Sequence, residues 1–154
     1  MRDGYSSVPA GYARRLLDDK KLIAFLHDMP ATSILPDGRV VPRPRESHWW
    51  LVDTHTFYGN LSLRHELTAE TEKVSGHIGY SVHPHHQGKG IGTRLMEFGL
   101  EQARLLGLPR LLVTIDADNL ASIRIAEKAG AILQDVIDHP QKPGTAHNRY
   151  WITL

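Results

Sequence analysis

Three glycines in five residues mark the stretch from 83 to 95, which reads HPHHQGKGIGTRL. Each glycine costs backbone entropy and adds no side chain to a core, so this density requires a reason. The segment that follows has the composition of a helix, and the unpaired amides at a helix N-terminus attract anions. The pattern therefore predicts a cradle for a phosphate group. The alternative is that the glycines only make a tight connection between a strand and a helix.

The spacing of the glycines distinguishes between the known kinds of phosphate loop. A dinucleotide-binding G-x-G-x-x-G pattern would need glycine at position 93, where threonine stands. The P-loop pattern G-x-x-x-x-G-K-[ST] does not occur in the chain. Neither of these nucleotide-binding classes fits.

The histidines of the same stretch, His83, His85 and His86, are a second candidate for chemistry. They suggest a metal ion and a metal-dependent hydrolase, but histidines in a loop without an ordered carboxylate more often stay solvated. We therefore predict no metal site. The chain has no cysteine, which excludes disulfides, thiolate zinc sites and a cysteine nucleophile.

The elements around the glycine turn follow from hydrophobic periodicity. GHIGYSV, residues 76–82, reads as a strand whose glycines indicate a bulge or a close backbone approach. A helix is predicted from Ile91 to Leu106 and a buried strand over RLLVTID, residues 110–116. Asp118 or Asn119 can cap the next helix, LASIRIAEKA, which ends at Gly130. ILQDVI and RYWITL are predicted as the last strands, with a loop between them.

Upstream, WWLVD and FYGNLSLRHEL read as strands, and the polar HELTAETEK as the connection to the next strand. Residues 11–27 favour a helix, whereas MPATSILPDGRVVPRPRES, with its prolines, predicts an irregular surface loop. Trp49 and Trp50 should face opposite sides of their strand, one toward the core and the other toward a cleft. The order of elements predicts an α+β or mixed α/β layer fold.

The composition narrows the range of functions. A chain of 154 residues has the length of a single domain, and no internal repeat or linker divides it. A net charge of +1 with scattered Lys and Arg argues against nucleic acid and anionic membranes as partners. No apolar run is long enough for a membrane span, and the N-terminus lacks a signal-peptide pattern, so we expect a cytoplasmic protein.

The motif Gln87-x-x-Gly90-x-Gly92 resembles the [QR]-x-x-G-x-[GA] signature of the GNAT N-acetyltransferase superfamily. GYSVHPHHQGKGIGTRLMEFGLEQARLLG is similar to that superfamily's strand, pyrophosphate loop and helix, and DADNLASIRIAEKAGA to its second block, N-x-x-[AS]…EK-x-G. Together with LSLRHEL, SGHIGYSV and RYWI, these stretches are most similar to a little-characterised group of predicted bacterial GNAT acetyltransferases. The resemblance covers about residues 48 to 154.

This resemblance implies a GNAT fold, a twisted mixed sheet with flanking helices that splays between the strand ending in SV and the strand RLLVTID. Acetyl-CoA would lie in the splay, with its pyrophosphate on the amides from Gly88 to Thr93 and its pantetheine paired with the backbone near Ser81, Val82 and His83. Asn119 would contact the cofactor near its thiol end, or serve only as a helix cap. The residues expected at the cofactor are Ser81, Val82, His83, Gln87, Gly88, Lys89, Gly90, Ile91, Gly92, Thr93, Asn119 and Ser122.

The resemblance also implies acetyl transfer to a primary amine by direct attack, with both substrates bound. A backbone N–H at a bulge around Tyr80 to Val82 would polarise the thioester carbonyl. Glu66 and His77 are the candidates for the base, which accepts the amine's proton. Each also has a simpler explanation: Glu66 as a surface partner of Arg64 or His65, and His77 as a hydrogen-bonded strand histidine.

One position departs from the superfamily. Many members carry a tyrosine in the second helix as the acid for the departing thiolate, and Ala126 stands at the matching position here. Tyr80, Tyr150, Ser122 or a water would have to replace that acid, or the thiolate leaves unprotonated. A non-catalytic CoA-binding module is therefore the alternative function. The resemblance implies an amine acceptor, either a small molecule or a peptide, without naming it. It also makes a homodimer through an exposed edge such as RYWITL an expectation by analogy.

Overall fold

The computed structural model describes residues 31–35, 37–52 and 55–154. The chain divides into two compact units, residues 1–43 and 44–154. The predicted helix over residues 11–27 lies outside the described residues, and the prediction of a single domain stays a prediction.

The described part of the first unit is a short hairpin. Strand β1 (Thr32–Ile34) pairs antiparallel with β2 (Val40–Pro42). The chain reverses at Gly38, which has a φ of 83°, and Asp37 Oδ1 accepts a hydrogen bond from the amide of Arg39. The prediction of an irregular loop was wrong here, because β-branched residues on both sides of an Asp-Gly turn favour pairing over the effect of the nearby prolines.

The second unit contains two antiparallel sheets of three strands each, in the order β3-β4-β5 and β6-β8-β7. Its elements in chain order are β3 (Glu46–Val52), β4 (Phe57–Arg64), α1 (Ala69–Val74), β5 (Ile78–Val82), α2 (Ile91–Leu105), β6 (Arg110–Asp116), α3 (Leu120–Lys128), β7 (Ile132–Asp138) and β8 (Ala146–Thr153). A single 3-10 turn follows β5 at Pro84–His86. The arrangement confirms the predicted α+β class and the strands and helices expected in this part, with shifts at some ends.

The connection between β4 and β5 differs from its prediction, because it contains the helix α1. Thr68 is the N-cap, and its hydroxyl accepts a hydrogen bond from the amide of Thr71 at 3.2 Å. The Thr71 hydroxyl in turn accepts from the Thr68 amide at 2.8 Å. This reciprocal capping satisfies amides at the start of a helix too short to be stable alone.

Strands β5 and β6 meet at one point and belong to different sheets beyond it. The His77 amide donates to Leu112 O at 2.8 Å, and the Leu112 amide donates back to His77 Nδ1 at 2.9 Å. Gly76 makes this approach possible, since a Cβ built on it would lie 2.4 Å from Leu112 O. The predicted close backbone approach is confirmed at this glycine. The separation of the two strands after His77 is the splay that the resemblance implied.

The core lies between the sheets and the helices α2 and α3. Gly99 lets α2 lie close against β5, because a Cβ there would lie 2.4 Å from Ile78 Cδ1. The buried apolar side chains of this core come from both sheets and both helices: Leu61, Leu63, Ile78, Ile91, Leu95, Met96, Leu100, Ala103, Leu111, Val113, Ile115, Ala126, Tyr150 and Ile152. This packing fixes the N-terminus of α2 beside the end of β5. Among the described residues, none of the helices combines the length and apolar character needed to cross a bilayer.

Candidate cofactor and active site

The turn before α2 depends on glycine for its backbone conformation. Gly88 has a φ of 71° and Gly90 a φ of 79°, both in the left-handed region that other residues rarely adopt. A Cβ built on either residue would meet no atom within 4 Å. Glycine is therefore required here for its left-handed backbone conformation and not because a side chain would collide with the protein. The space above the turn is open.

The start of α2 leaves its amides available to a ligand. Gly90 is the N-cap, and no side chain caps the helix. The first intrahelical bond to this residue runs from the Arg94 amide to Gly90 O at 3.1 Å. The amides of residues 91–93 therefore have no acceptor within the helix. Together with the positive end of the helix dipole they form an anion site of the kind predicted.

Gly92 serves a different purpose from the other two glycines. A Cβ at this position would lie 2.8 Å from Ile125 Cδ1 of α3 and 3.5 Å from Tyr80 Cε2 of β5. The missing side chain lets the first turn of α2 lie directly against both elements. The cradle is thus fixed to the strand and helix that border the splay.

Side chains of the loop fasten the cradle to the end of β5. Gln87 Nε2 donates to Val82 O at 3.3 Å, and Lys89 Nζ donates to His85 O at 3.0 Å. His83 Nδ1 accepts from the His85 amide at 3.3 Å. Gln87 therefore holds the loop in place, and Lys89 adds a positive charge beside the open amides.

The pairing of β5 with β4 decides which of its backbone groups face the splay. The His83 amide donates to Tyr58 O at 2.8 Å, so it is occupied by β4. Ser81 lies opposite Asn60, two residues along the same ladder. Because hydrogen-bonded pairs alternate in an antiparallel ladder, the backbone of Ser81 also points toward β4. The pairing of pantetheine near Ser81, Val82 and His83 stays a prediction, and among these three residues only Val82 has a backbone that points away from β4.

The residues between them, Tyr80 and Val82, have the opposite backbone orientation. Their N–H and C=O groups point away from β4, toward the side where β6 diverges. The register between β4 and β5 runs without a shift from Leu63 opposite Ile78 to Gly59 opposite Val82. The bulge expected in β5 is therefore absent, and regular pairing alone presents Tyr80 and Val82 to the splay.

Tyr80 joins β5 to the start of α3. Its hydroxyl donates to Ser122 Oγ at 3.2 Å, and the Ser122 amide donates to Asn119 Oδ1 at 3.1 Å. Asn119 is thus confirmed as the N-cap of α3. Burial raises the pKa of the Tyr80 hydroxyl above its ordinary value, and the bond to Ser122 only partly offsets this effect. Tyr80 stays protonated at neutral pH and can give a proton.

His77 lies at the closed end of the splay. Its ring is 6% exposed, and burial, with the charges of Arg64 and Arg110 nearby, lowers its pKa to about 4. Its Nδ1 accepts the Leu112 amide, so this lone pair is already in use. The geometry favours a structural role for His77, as the clamp between β5 and β6, over that of a base.

Glu66 lies exposed in the bend after β4. The partners considered for it at the surface bind other groups: Arg64 Nη2 lies 3.1 Å from Glu46 Oε1, and His65 Nε2 lies 2.8 Å from Ser47 Oγ. The structure does not bring Glu66 to the cradle or to Tyr80 through any contact.

The sheet face opposite α2 carries a row of side chains that includes Asn60, a residue that was not predicted from the sequence. Trp49 packs edge-to-face on Phe98 of α2, with ring centroids 5.6 Å apart. Trp50 therefore faces the other side, in a row with Asn60 and Ser81 across the three strands. The Ser81 hydroxyl donates to Asn60 Oδ1. Strand alternation predicts the direction of each side chain, but only the register between strands places the three together.

Comparison with known proteins identifies the family. The model of the acetyltransferase (GNAT) domain matches residues 20–132. The chain belongs to the GNAT family. The match begins well before residue 48, where the resemblance in the sequence became recognisable, and it includes both the cradle and α3.

Two curated proteins and one solved structure illustrate the relationship. The chain is 35% identical to the L-amino acid N-acyltransferase MnaT of Escherichia coli over 73 residues. This aligned stretch covers 47% of this chain and 40% of MnaT. It is 34% identical over 89 residues to the mycothiol acetyltransferase of Streptosporangium roseum, covering 58% of this chain and 23% of that protein. The yncA acetyltransferase of Salmonella typhimurium, solved with its cofactor acetyl-CoA, superposes with a TM-score of 0.54 at 22% identity, over 66% of this chain and 61% of that chain.

These comparisons show the family and the fold. The chain spans 23% and 40% of the length of these two curated relatives. Acetyl-CoA is the co-substrate of the family and is bound in the yncA structure.

Proposed function

We propose that this GNAT protein is an acetyl-CoA-dependent N-acetyltransferase that acts on the primary amine of a small molecule. The observation that carries the proposal is the continuity of three backbone features: the open amides at the start of α2, the glycine turn before them, and the outward-facing backbone of Tyr80 and Val82. A diphosphate followed by an extended amide chain is the ligand that matches this order of groups.

The cradle would bind the pyrophosphate of acetyl-CoA. The amides from Gly88 to Thr93 donate to phosphate oxygens, and Lys89 contributes a charge at the rim. The amide groups of pantetheine would then pair with the backbone of Tyr80 and the amide of Val82, which point away from β4, as an added strand does. Val82 O already accepts from Gln87. Bound in this way, the thioester lies in the splay between β5 and β6.

The reaction needs a polarised carbonyl and a proton for the leaving thiolate. A backbone N–H of Tyr80 or Val82 that faces the splay would stabilise the charge that develops on the carbonyl oxygen. As the C–S bond breaks and the amide C–N bond forms, the Tyr80 hydroxyl would protonate the thiolate, and Ser122 fixes the orientation of that hydroxyl. Tyr80 thereby takes over the task that Ala126 cannot perform.

Glu66 would accept the amine's proton through intervening water in this proposal, because no contact brings it to Tyr80 or to the cradle. Glu66→Gln keeps the size of the side chain and removes the base, so the rate should fall while acetyl-CoA affinity stays unchanged. A rate equal to the unmodified protein would remove Glu66 from the mechanism.

A small-molecule acceptor agrees with the relatives, among which MnaT is an L-amino acid N-acyltransferase. Trp50, Asn60 and Ser81 offer an aromatic ring and hydrogen-bonding groups on the face opposite α2. We propose this face as the approach of the acceptor.

The deciding experiment measures CoA released from acetyl-CoA in the presence of a panel of amines. A thiol-reactive dye reports CoA without background, because the protein has no cysteine. We expect amine-dependent release and an acetylated product of the amine by mass spectrometry. Tyr80→Phe should lower kcat by about a hundredfold, the lower end of the range for loss of a general acid, whereas Ser122→Ala should have a smaller effect.

A non-catalytic acyl-CoA-binding module is the second candidate, and Ala126 is the observation that favours it. Such a protein would bind acetyl-CoA and release no CoA with any amine. That outcome would replace the enzyme proposal.

A further inference from the structure

A second group of chemically active side chains lies on the far side of β6 from α2. Ile115 packs in the core that α2 shares, so Asp116, the next residue, faces the opposite side of the sheet. His147 lies directly across from Asp116 on β8, and His139 follows the end of β7. Both rings are buried, with 5% of His139 and 3% of His147 exposed. Two imidazoles and a carboxylate thus share one largely buried site.

The three side chains converge on one point. Asp116 Oδ1 lies 2.7 Å from His147 Nδ1 and 3.7 Å from His139 Nε2. The ligand atoms all lie within 4.8 Å of one another, and no other trio of this kind occurs in the described part of the chain. Bonds of about 2.0–2.1 Å in a tetrahedral zinc site place ligand atoms roughly 3.4 Å apart. The two distances from Asp116 Oδ1, 2.7 Å and 3.7 Å, lie on either side of that value.

The second nitrogen of His147 is held as in metal sites. His147 Nε2 donates to Val74 O at the end of α1, at 3.0 Å. This bond fixes the proton on Nε2 and directs Nδ1 toward Asp116. With a metal ion on Nδ1, the Nε2–H bond to a backbone carbonyl would act as the outer hydrogen bond that metal-bound histidines usually make.

We propose that Asp116, His139 and His147 bind a divalent transition-metal ion of the zinc type. Two imidazoles and one carboxylate form a donor set that suits such ions and leaves positions for water. The ion would join the end of β6, the strand β8 and the β7–β8 connection. The site is separate from the cradle and does not depend on acetyl transfer.

Two contacts must change when the ion binds. Lys142 Nζ lies 2.6 Å from Asp116 Oδ2, with its side chain 58% exposed, so its ammonium neutralises the carboxylate in the metal-free protein and competes with the ion. His139 Nδ1 accepts from the Gln141 amide at 3.0 Å, which places the ring proton on Nε2. Binding through Nε2 moves that proton to Nδ1 and breaks the bond to Gln141. The turn from His139 to Lys142 therefore rearranges on binding.

The test is a titration of the full chain, purified without a histidine tag, with Zn²⁺ by calorimetry and with Co²⁺ by visible absorption. We expect one ion per chain and Co²⁺ absorption bands typical of a low coordination number. Asp116→Asn should weaken binding by about tenfold or more. Lys142→Ala should tighten it about two- to fivefold, the effect of removing one exposed ion pair.

A matched control removes two histidines elsewhere. The double variant His85→Ala, His86→Ala takes the same number of imidazoles from the loop before the cradle and should bind the ion as the unmodified protein does. Loss of binding in this variant, or no binding of one ion per chain, would overturn the proposal. Far-UV circular dichroism and acetyl-CoA affinity in metal-free buffer show that Asp116→Asn is folded. If that variant fails to fold, unchanged affinity in Lys142→Ala, whose side chain is exposed, would still contradict the proposal.

Discussion

The clamp between β5 and β6 predicts a stability that depends on one histidine. Nδ1 of the buried His77 accepts the Leu112 amide, and this bond requires the neutral ring. His77→Ala would leave that amide without its acceptor inside the protein, which should cost about 1–3 kcal/mol of unfolding free energy at pH 7. His77→Asn places an amide oxygen where Nδ1 stands, so it should keep most of the hydrogen bond. It has no ionisable ring, so the pH dependence of stability that is due to His77 should disappear.

The pH dependence follows from the lowered pKa. His77 titrates near its ordinary value of 6.5 when unfolded and at about 4 when folded. The unfolded chain therefore binds more protons between these values, and the stabilisation present above pH 6.5 is lost as the pH falls toward 4. Between pH 7 and pH 5 the loss amounts to about 2 kcal/mol, or a fall in Tm of roughly 4–8 °C for a chain of this size.

The assay is urea unfolding followed by tryptophan fluorescence, at half-unit steps from pH 7 to pH 5. His77→Asn should show a shallower pH dependence than the unmodified protein, by about 2 kcal/mol over this range. His77→Ala should be less stable at pH 7 and equally shallow. Identical slopes for all three proteins would refute the clamp. If His77 were instead the base of the reaction, His77→Asn would abolish turnover without changing the pH dependence of stability.

Two other substitutions test the cradle and the cap. Gly90→Ala should cost about 1–2 kcal/mol, because its φ of 79° disfavours a side chain, and should raise the Kd for acetyl-CoA in calorimetry. Gly107→Ala is the control: its φ is 75° in equally open space, so it should lose similar stability and keep its affinity. Asn119→Ala should lose about 1 kcal/mol of stability with the cap. Asn119→Ser can still cap the helix, so it should keep the stability of the unmodified protein but not its KM for acetyl-CoA. An unchanged KM in Asn119→Ser would show that Asn119 acts only as a helix cap.

The elements that the sequence predicted best are those whose signals are local. The helix α2 carries a helical periodicity and the strand β6 a short, continuous apolar run. The helix α3 begins at a capping asparagine and ends before Gly130, which has a φ of 86°. The glycine turn was recognisable because left-handed backbone conformations select glycine directly. In each case the determining interactions lie within a few residues of one another.

The features that the sequence did not predict depend on pairing between distant segments. The orientation of the Tyr80 backbone follows from the register of β5 on β4, and a shift of one residue would reverse it. The cluster of Asp116, His139 and His147 forms only because β8 lies between β6 and β7. The histidines that looked most like a metal site in the sequence, those before the cradle, do not form such a cluster with a carboxylate among the described residues.

Hydrogen exchange with and without acetyl-CoA tests the central claim most directly. If the cradle and the free face of β5 bind the cofactor, the amides of residues 88–93 and those of Tyr80 and Val82 should become protected together, while the amide of His83, already bonded to Tyr58 O, should change little. Protection that misses the turn before α2, or no protection at saturating acetyl-CoA, would contradict the account.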